Sequence, residues 1–486
     1  YPMQPVAQDE WHTWYQVTFM PHDRRLKYLF VLQSDEQVFK LDASGLHCGA
    51  DYPEDVSEAF AFAYAYPTEP TPQWARGCVG YEIFPDLFRR GEGSQTDETL
   101  EPWTSDRVQN EYRFGGNLRG IIEAVPYLHD LGVEMVYTTP LFLSDTSHRY
   151  NTFDYYQVDP LLGTEEEFAA LCAEARALGM RVMLDGVFSH TGSDSRYFDR
   201  FGRYEDVGAF ESQASPYYPW YSFRRWPDEY ACWWNFPTLP NVQEMTPSYA
   251  AFIAGEDGVL AHWAARGATS WRLDVADELP DAFIRLLRSR VKALDPEGVL
   301  LGEVWEDCSD KQGPEGRRGY VNGDELDSAM NYPFANAVLD FLLERCDAPA
   351  LAGRLMAQRE WYPAPFYRAC LNLLSSHDIV RAITALSGAP GRDELTRAQQ
   401  AAYTPAPEQA RLGRERFMLA TAIQMFCPGV PCVYYGDEAG VTGMADPFNR
   451  RTYPWGGEDR AVQARVAALM RLRRDLAALR AQLSPE

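Results

Sequence analysis

The chain has no excess of positive charge: 45 Lys and Arg stand against 70 Asp and Glu, for a formal net charge of -25. A phosphate backbone calls for clustered cations, so nucleic acid is excluded as a partner. No apolar run approaches the ~20 residues of a membrane span, and no basic segment followed by an apolar one opens the chain. No membrane association is expected, and a cytoplasmic location is. The nine cysteines form no CxxC pair; the nearest two bracket Cys427-Pro-Gly-Val-Pro-Cys432, and no His cluster has zinc-ligand spacing. They read as reduced thiols rather than a disulfide framework, and no metal is expected from them.

What the chain does have is length and aromatic content. With 486 residues and 46% hydrophobic residues it can build two to four units or one large barrel with attachments. Alternation in Trp14–Phe19 and Leu26–Leu32, separated by the turn-forming Pro21-His22-Asp23, marks a small β region. The Pro-rich stretch Pro67-Thr-Glu-Pro-Thr-Pro72 then reads as an extended linker, because each Pro disfavours helix at the residue before it. A domain boundary is expected there, with a partial β domain over 1–70 and a catalytic domain over 71–480.

Beyond the linker, apolar runs alternate with longer amphipathic segments. The strand candidates are Val79–Phe84, Glu134–Thr138, Arg181–Val187, Ser270–Val275, Val299–Val304, Leu326–Asn331, Cys370–Ser375 and Pro431–Tyr435. Helical periodicity fills Ile121–Leu131, Glu165–Leu178, Leu279–Leu294, Phe334–Leu343 and Ala461–Leu479. Eight such units predict an α/β fold, a (β/α)8 TIM barrel whose site lies at the C-terminal ends of its strands. The interval from Val187 to Ser270 far exceeds a βα loop and holds Tyr217, Tyr218, Trp220, Tyr221, Trp226, Trp233 and Trp234. It predicts an inserted subdomain after strand 3, over 191–245, with most of these aromatics forming its own core and one or two free to stack on sugar.

Three strand candidates end on carboxyl groups: Trp271-Arg-Leu-Asp274, Leu301-Gly-Glu303-Val-Trp305 and Ser376-His377-Asp378. Adjacent barrel strands place two such groups near the ~5–5.5 Å that glycoside cleavage with retention requires between nucleophile and acid/base. Asp274 is the expected nucleophile and Glu303 the expected acid/base, its proton retained through burial or a neighbouring carboxylate. Arg272 shares a strand face with Asp274 and would keep it ionised. Asp378 and His377 would bind adjacent sugar hydroxyls. Asp185-Gly-Val-Phe-Ser-His190 ends the third strand; His190 would donate to a sugar hydroxyl and Asp185 would orient Arg272.

With these motifs in this order, residues 78 to about 480 resemble the alpha-amylase superfamily of glycoside hydrolases. Gly80-Tyr-Glu-Ile-Phe-Pro-Asp86 is similar to that family's first strand, Gly115-Gly-Asn-Leu-Arg-Gly120 to the start of its first helix, and Leu239-Pro-Asn-Val242 to the motif closing its insert. In His148-Arg-Tyr-Asn-Thr-Phe-Asp-Tyr-Tyr156, the resemblance assigns Tyr155 to the tyrosine that stacks under the cleaved sugar. Phe19-Met-Pro21 and Arg24-Arg-Leu-Lys-Tyr28 resemble the extra β domain of the neopullulanase, cyclomaltodextrinase and maltogenic amylase group, which implies a homodimer through that domain. The usual C-terminal β-sandwich is missing, which suggests a trimmed chain. The resemblance implies cleavage of α-1,4 and also α-1,6 glucosidic bonds in maltooligosaccharides, cyclodextrins or pullulan, with some transglycosylation. It also implies acceptor-side roles for Glu278 and Trp305.

Departures from the family pattern qualify this. Ser189 and Glu278 stand where calcium-binding members carry Asn and His, and Arg89-Arg-Gly-Glu-Gly-Ser-Gln95 with Asn117 replaces a second calcium segment. No cofactor and no metal are therefore expected. Asp277 stands where the group has Asn, leaving linkage preference open. Two alternatives stay open: an exo-acting α-glucosidase, and a non-catalytic amylase-like barrel that binds glycan or a partner.

Overall fold

The structure, a computed structural model, describes residues 1–19, 25–34, 37–42, 45–48, 59–63, 71–93, 99–104, 109–313 and 316–476. All eight strand candidates form strands of one parallel sheet: β1 (Gly80–Ile83), β2 (Met135–Thr138), β3 (Arg181–Gly186), β4 (Ser270–Leu273), β5 (Leu300–Gly302), β6 (Ser328–Ala329), β7 (Leu371–Leu373) and β8 (Val430–Tyr434). Each pairs with its sequence neighbour, and β8 pairs with β1. A parallel bridge from Met330 to Leu371 joins β6 to β7, so the sheet closes into a barrel.

Because side chains alternate along a strand, each barrel strand gives one set to the lumen and one to the helices. Val136, Val182, Leu184, Trp271, Leu273 and Leu300 belong to the shell packed beneath the helices, with Ile121, Leu128, Phe168, Leu171 and Leu287. Met135, Tyr137, Met183, Leu301, Leu371, Leu373 and Cys432 form a separate cluster, the filling of the barrel. Register then sets the next lumen layer: Glu82 lies beside Tyr137 and Asp185 beside Arg272. The lumen is thus apolar at its base and ionisable toward the C-terminal rim.

The helices start where local chemistry dictates. Leu118–Leu131 follows Asn117, whose side chain accepts from Gly120 N, and ends at Gly132, where φ is 103°. Glu165–Ala177 opens with a reciprocal Thr164–Glu167 capping box. Gly132 is a position a non-glycine residue would strain, since a left-handed cap closes the helix.

Between β3 and β4 lie short elements only: a hairpin of Phe223–Arg225 with Glu229–Tyr230, single 3-10 turns, and helices Pro247–Ala254 and Val259–Ala264. Trp220 and Tyr221 are buried and Tyr217 packs against Trp220 and Tyr197, so these aromatics do form the insert's core. Trp234 is the exception, 73% exposed.

Among the described residues, the N-terminal β region forms three small antiparallel pieces: Gln4–Gln8 with Thr13–Gln16, Arg25–Tyr28 with Phe60–Ala63, and Phe30–Gln33, Val38–Asp42 and Gly45–Cys48 together. Phe60–Ala63 lies against the barrel helix Ala348–Trp361. Pro67–Pro70, most of the expected linker, lies outside the described residues, as do residues 20–24 of the N-terminal resemblance. Among the described residues no helix is long and apolar enough to cross a membrane.

Candidate active site

The rim gathers its charges around one guanidinium. Arg272 is fully buried, and its Nη1 donates to both oxygens of Asp185 (3.0 and 3.1 Å) and to Asp274 Oδ1 (2.8 Å). Its Nη2 lies 2.8 Å from Glu303 Oε2, an ion-pair distance without hydrogen-bond alignment. Asp274 and Glu303 therefore meet on neighbouring nitrogens of one fixed fork. The backbone turns sharply just past Asp274: Val275 sits at φ 39°, a left-handed conformation that is strained for a β-branched residue. That turn aims Val275 N–H at Glu303 Oε2, 2.8 Å away.

Burial pushes the Asp274 carboxyl well above its ordinary range; Arg272 pulls it down, while Glu303 and Asp185 push it further up. Glu303 is also raised, by burial and then Asp378, again against Arg272. Arg272 opposes the rise of Asp274, in the direction that its expected role of keeping that carboxyl ionised requires. Arg272 hydrogen-bonds Asp274, whereas Glu303 accepts from Val275 N–H and from the Trp305 indole, whose Nε1 donates to Oε1 at 3.0 Å. Two buried carboxyls this close hold one shared proton more readily than two charges.

His377 completes the rim from β7. Its Nδ1 lies 2.7 Å from Glu82 Oε1, and its Nε2 lies 2.5 Å from the Tyr150 hydroxyl and 3.1 Å from Asp378 Oδ2. The Asp378 side chain is 26% exposed, open to a ligand as expected of a hydroxyl-binding group. Tyr150 lies nearly parallel to the His377 ring, centroids 5.4 Å apart and planes 11° apart, and its hydroxyl donates to Asp185 at 3.0 Å.

Tyr155, assigned by resemblance to sugar stacking, is not at this rim. It is fully buried, its hydroxyl donates to the carbonyl of Val187 at 2.7 Å, and its ring packs on Tyr197 and Phe188. A ring with no exposed face cannot meet a sugar; the tyrosine among the site residues is Tyr150, five positions earlier. His190 is at the site, yet both ring nitrogens are engaged by protein: Nδ1 faces the Ser189 hydroxyl at 2.9 Å and Nε2 the Tyr150 carbonyl at 3.1 Å. Burial pulls it down to about 4, so it stays neutral and holds Tyr150 in place instead of reaching for a sugar. Sequence reasoning passed over Glu82, Tyr137 and Tyr150. Tyr137 donates to Asp185 at 2.6 Å, and lumen-facing position two residues into a barrel strand was the signal for it and for Glu82.

Glu278 and Trp305, the two residues expected on the acceptor side, are held in different ways. Glu278 accepts from Trp234 Nε1 at 3.0 Å, and Trp234 and Asn235 both adopt positive φ, 45° and 61°. Trp305 is 43% exposed and stacks on Tyr332, centroids 4.0 Å apart. Asp277 is occupied by Lys311 at 2.8 Å and the Tyr320 hydroxyl at 3.0 Å.

At the two implied calcium positions the described oxygens are engaged by protein. Ser189 Oγ bonds His190, Glu278 Oε1 bonds Trp234, and Asn117 Oδ1 takes the amides of Gly91 and Gly120 with Arg89 and Arg119 nearby. Oxygens committed to protein donors and adjacent cations are a poor donor set for calcium.

A model of the alpha amylase catalytic domain matches residues 82–477. The chain belongs to the alpha-amylase family. Among its relatives, an amylopullulanase of Thermoanaerobacter thermohydrosulfuricus is 32% identical over 98% of this chain, which spans only 35% of that protein. A cyclomaltodextrinase of Geobacillus thermopakistaniensis is 32% identical, with 99% of this chain and 76% of that protein covered. A solved structure of a cyclic alpha-maltosyl-(1→6)-maltose hydrolase from Arthrobacter globiformis superposes with a TM-score of 0.73 at 30% identity, covering 84% of this chain and 85% of that one. Within this family the barrel rim is the catalytic end of the fold, the end at which Arg272 collects its three carboxylates.

Proposed function

We propose that this alpha-amylase family protein is a retaining glycoside hydrolase that cleaves α-1,4 and α-1,6 glucosidic bonds of maltooligosaccharides, cyclodextrins or pullulan. The observation that carries the reading is the placement of Asp274 and Glu303 on adjacent nitrogens of the buried Arg272 fork. Asp274 attacks the anomeric carbon while the shared proton, carried by Glu303, passes to the departing glycosidic oxygen. The resulting glycosyl ester is then opened by water, or by a second sugar, with Glu303 as base. Asp378, partly exposed, holds hydroxyls of the reacting sugar, His377 is fixed behind it by Glu82 and Tyr150, and Tyr150, stacked on His377, lines the floor. Glu278, Trp234 and Trp305 border the acceptor side. The chemistry runs on these side chains with no metal in a step.

The reading extends to the whole molecule. A cytoplasmic location fits nine free thiols with no disulfide, and a homodimer through the N-terminal strands fits the resemblance there.

Product analysis tests the function: the protein and an Asp274→Asn control are incubated with maltotriose, β-cyclodextrin, pullulan and starch. Rapid opening of cyclodextrin, absent in the control, is the expected result. Release of glucose singly would move the assignment to an exo-acting α-glucosidase. No turnover of any of the four would overturn hydrolysis in favour of a glycan-binding barrel.

A further inference from the structure

Glu82 has no role in the reaction as described so far, although it sits at its centre. It is a buried carboxylate on β1, two residues from the barrel's apolar base, and its Oε1 lies 2.7 Å from His377 Nδ1 and 3.2 Å from His377 N. The other ring nitrogen faces Asp378 Oδ2 at 3.1 Å and the Tyr150 hydroxyl at 2.5 Å. A neutral imidazole has one N–H and one lone pair, so it cannot donate at both ends. Asp378 is at ion-pair distance, whereas the hydrogen bond at Nε2 is to the Tyr150 hydroxyl, whose own proton goes to Asp185 at 3.0 Å; Tyr150 therefore accepts from Nε2–H while Glu82 accepts from Nδ1–H, and each nitrogen carries a proton.

We propose that Glu82 is a positioning residue of the reaction, holding His377 as the doubly protonated cation that faces Asp378. The proposal rests on the reading of this rim as a glycoside-cleaving site. The charges around the ring support it. Burial pulls the imidazole down, and Asp378 and Glu82 more than reverse that, leaving it raised against the opposing effect of Arg272. Facing it from other elements are Tyr150 and His148 from the segment after β2, Arg272 on β4 and Glu303 at the end of β5. Beyond β8, Arg450 donates from Nε to the His377 carbonyl at 3.0 Å. His148 is itself pulled down by burial and by Arg450, so it does not compete as a second cation.

Such a cation has a consequence for specificity in pH. Above the pH at which His377 loses its second proton, the ring loses its bond to Glu82 or to Tyr150 and its charge beside Asp378, and the hold on Asp378 at the reacting sugar loosens. Activity then falls on the basic side for a reason separate from Glu303. The amide of Glu82→Gln still accepts from Nδ1–H but carries no charge, so orientation survives while the support for the cation is lost.

The test compares wild type, E82Q and E82A by pH profiles of kcat/KM on β-cyclodextrin, with thermal unfolding to confirm folding. E82Q is expected to keep the acid limb and shift the basic limb to lower pH, so that its deficit widens about tenfold per pH unit between the two basic limbs and is constant above that of wild type. E82A is expected to show the same shift plus a loss at every pH. A uniform deficit in E82Q, or none, overturns the proposal. The second measurement needs no turnover: ring 15N signals of His377, assigned by their loss in H377N, are followed through pH in wild type and E82Q. The His377 ring should titrate at lower pH in E82Q; an unchanged titration overturns the proposal, even if the glycosidase reading itself has failed.

Discussion

Arg272 is the residue on which the site's electrostatics turn, and Arg272→Met is the sharpest perturbation of it. The replacement keeps an unbranched side chain of similar reach and removes only the charge and its donors. Asp185, Asp274 and Glu303 then lose contacts of 3.0, 2.8 and 2.8 Å in a region from which water is excluded. Removing one partner of a buried pair costs about 3–5 kcal/mol, a large part of the ~5–15 kcal/mol that holds a native protein together. The buried carboxyls can escape part of that cost by taking up protons, so the loss must depend on pH. Asp274 and Glu303 are already raised in the fold, which means that the native state binds more protons than the unfolded chain above the ordinary carboxylate range. Their contribution to stability is therefore fully present below the unfolded value and is lost as pH rises through the folded one. Without Arg272, which pulls both down, the folded values move further up and that loss steepens.

The expected outcome is a variant that unfolds nearer to wild type at pH 5 than at pH 8, by urea denaturation followed through tryptophan fluorescence. Residual turnover should shift its acid limb upward, because the nucleophile stays protonated to higher pH. Arg272→Lys restores a charge but not a fork, and an ammonium cannot span three carboxylates, so it should recover part of the stability and little of the rate. A stability loss that is the same at every pH, or that stays below about 1 kcal/mol, would refute the reasoning that this guanidinium compensates buried carboxylates.

Three further outcomes follow from the same geometry. Asp274→Asn should fold and bind glucan yet lose about four to six orders of magnitude in kcat, as a missing nucleophile does; cyclodextrin turnover and calorimetric binding measure the two. Tyr150→Phe should lower kcat/KM with little effect on unfolding, whereas Tyr155→Phe should cost about 1 kcal/mol of stability through the lost bond to Val187 and leave the pH profile unchanged. Glu438 is buried beside β8, accepts from Tyr81 at 2.6 Å and Tyr127 at 3.0 Å, and is pushed up to about 7 by burial. A raised carboxyl weakens the fold as pH rises between its unfolded and folded values, so Glu438→Gln should gain on wild type from pH 5 to 8, by up to about 3 kcal/mol. A flat difference across that range would show that Glu438 does not titrate there.

The barrel was legible because apolar runs of strand length recur between helical periods, and all eight candidates joined the sheet. Their ends were less so: the candidate Leu326–Asn331 yields only Ser328–Ala329 as strand, since hydrophobicity marks burial, not pairing. Asp274, Glu303 and Asp378 could be found because each ends a strand candidate, and strand ends converge on the rim whatever the loops do. Tyr150 and Tyr155 could not be separated that way. They lie in one motif, and which of them faces the rim depends on the chain's path after β2. There Arg149, at φ 60° and anchored to Asp159 at 2.7 Å, turns the backbone so that Tyr150 meets His377. Only a contact formed across the chain decides the outcome.

The same reasoning explains why the charge state of Asp274 and Glu303 was the hardest feature to foresee. Residue type says that both are acids and strand order says that both reach Arg272. Which of them carries charge depends on the donors turned toward each, and the two at Glu303 come from geometry the sequence does not display. Val275 N–H arrives through a left-handed turn that its side chain disfavours, and Trp305 N–H through an indole pinned against Tyr332. Both donors favour a charged Glu303 while the rim is empty of sugar. In the proposed reaction Glu303 must nevertheless deliver a proton to the leaving oxygen, which has to take the place of at least one of them, and Trp305, 43% exposed, is the donor that a ligand can reach. Trp305→Phe should accordingly raise the acid/base limb of kcat, since it removes a bond that favours the carboxylate form. An unchanged limb would mean that the indole merely packs against Tyr332 and that Glu303 takes its proton without its help.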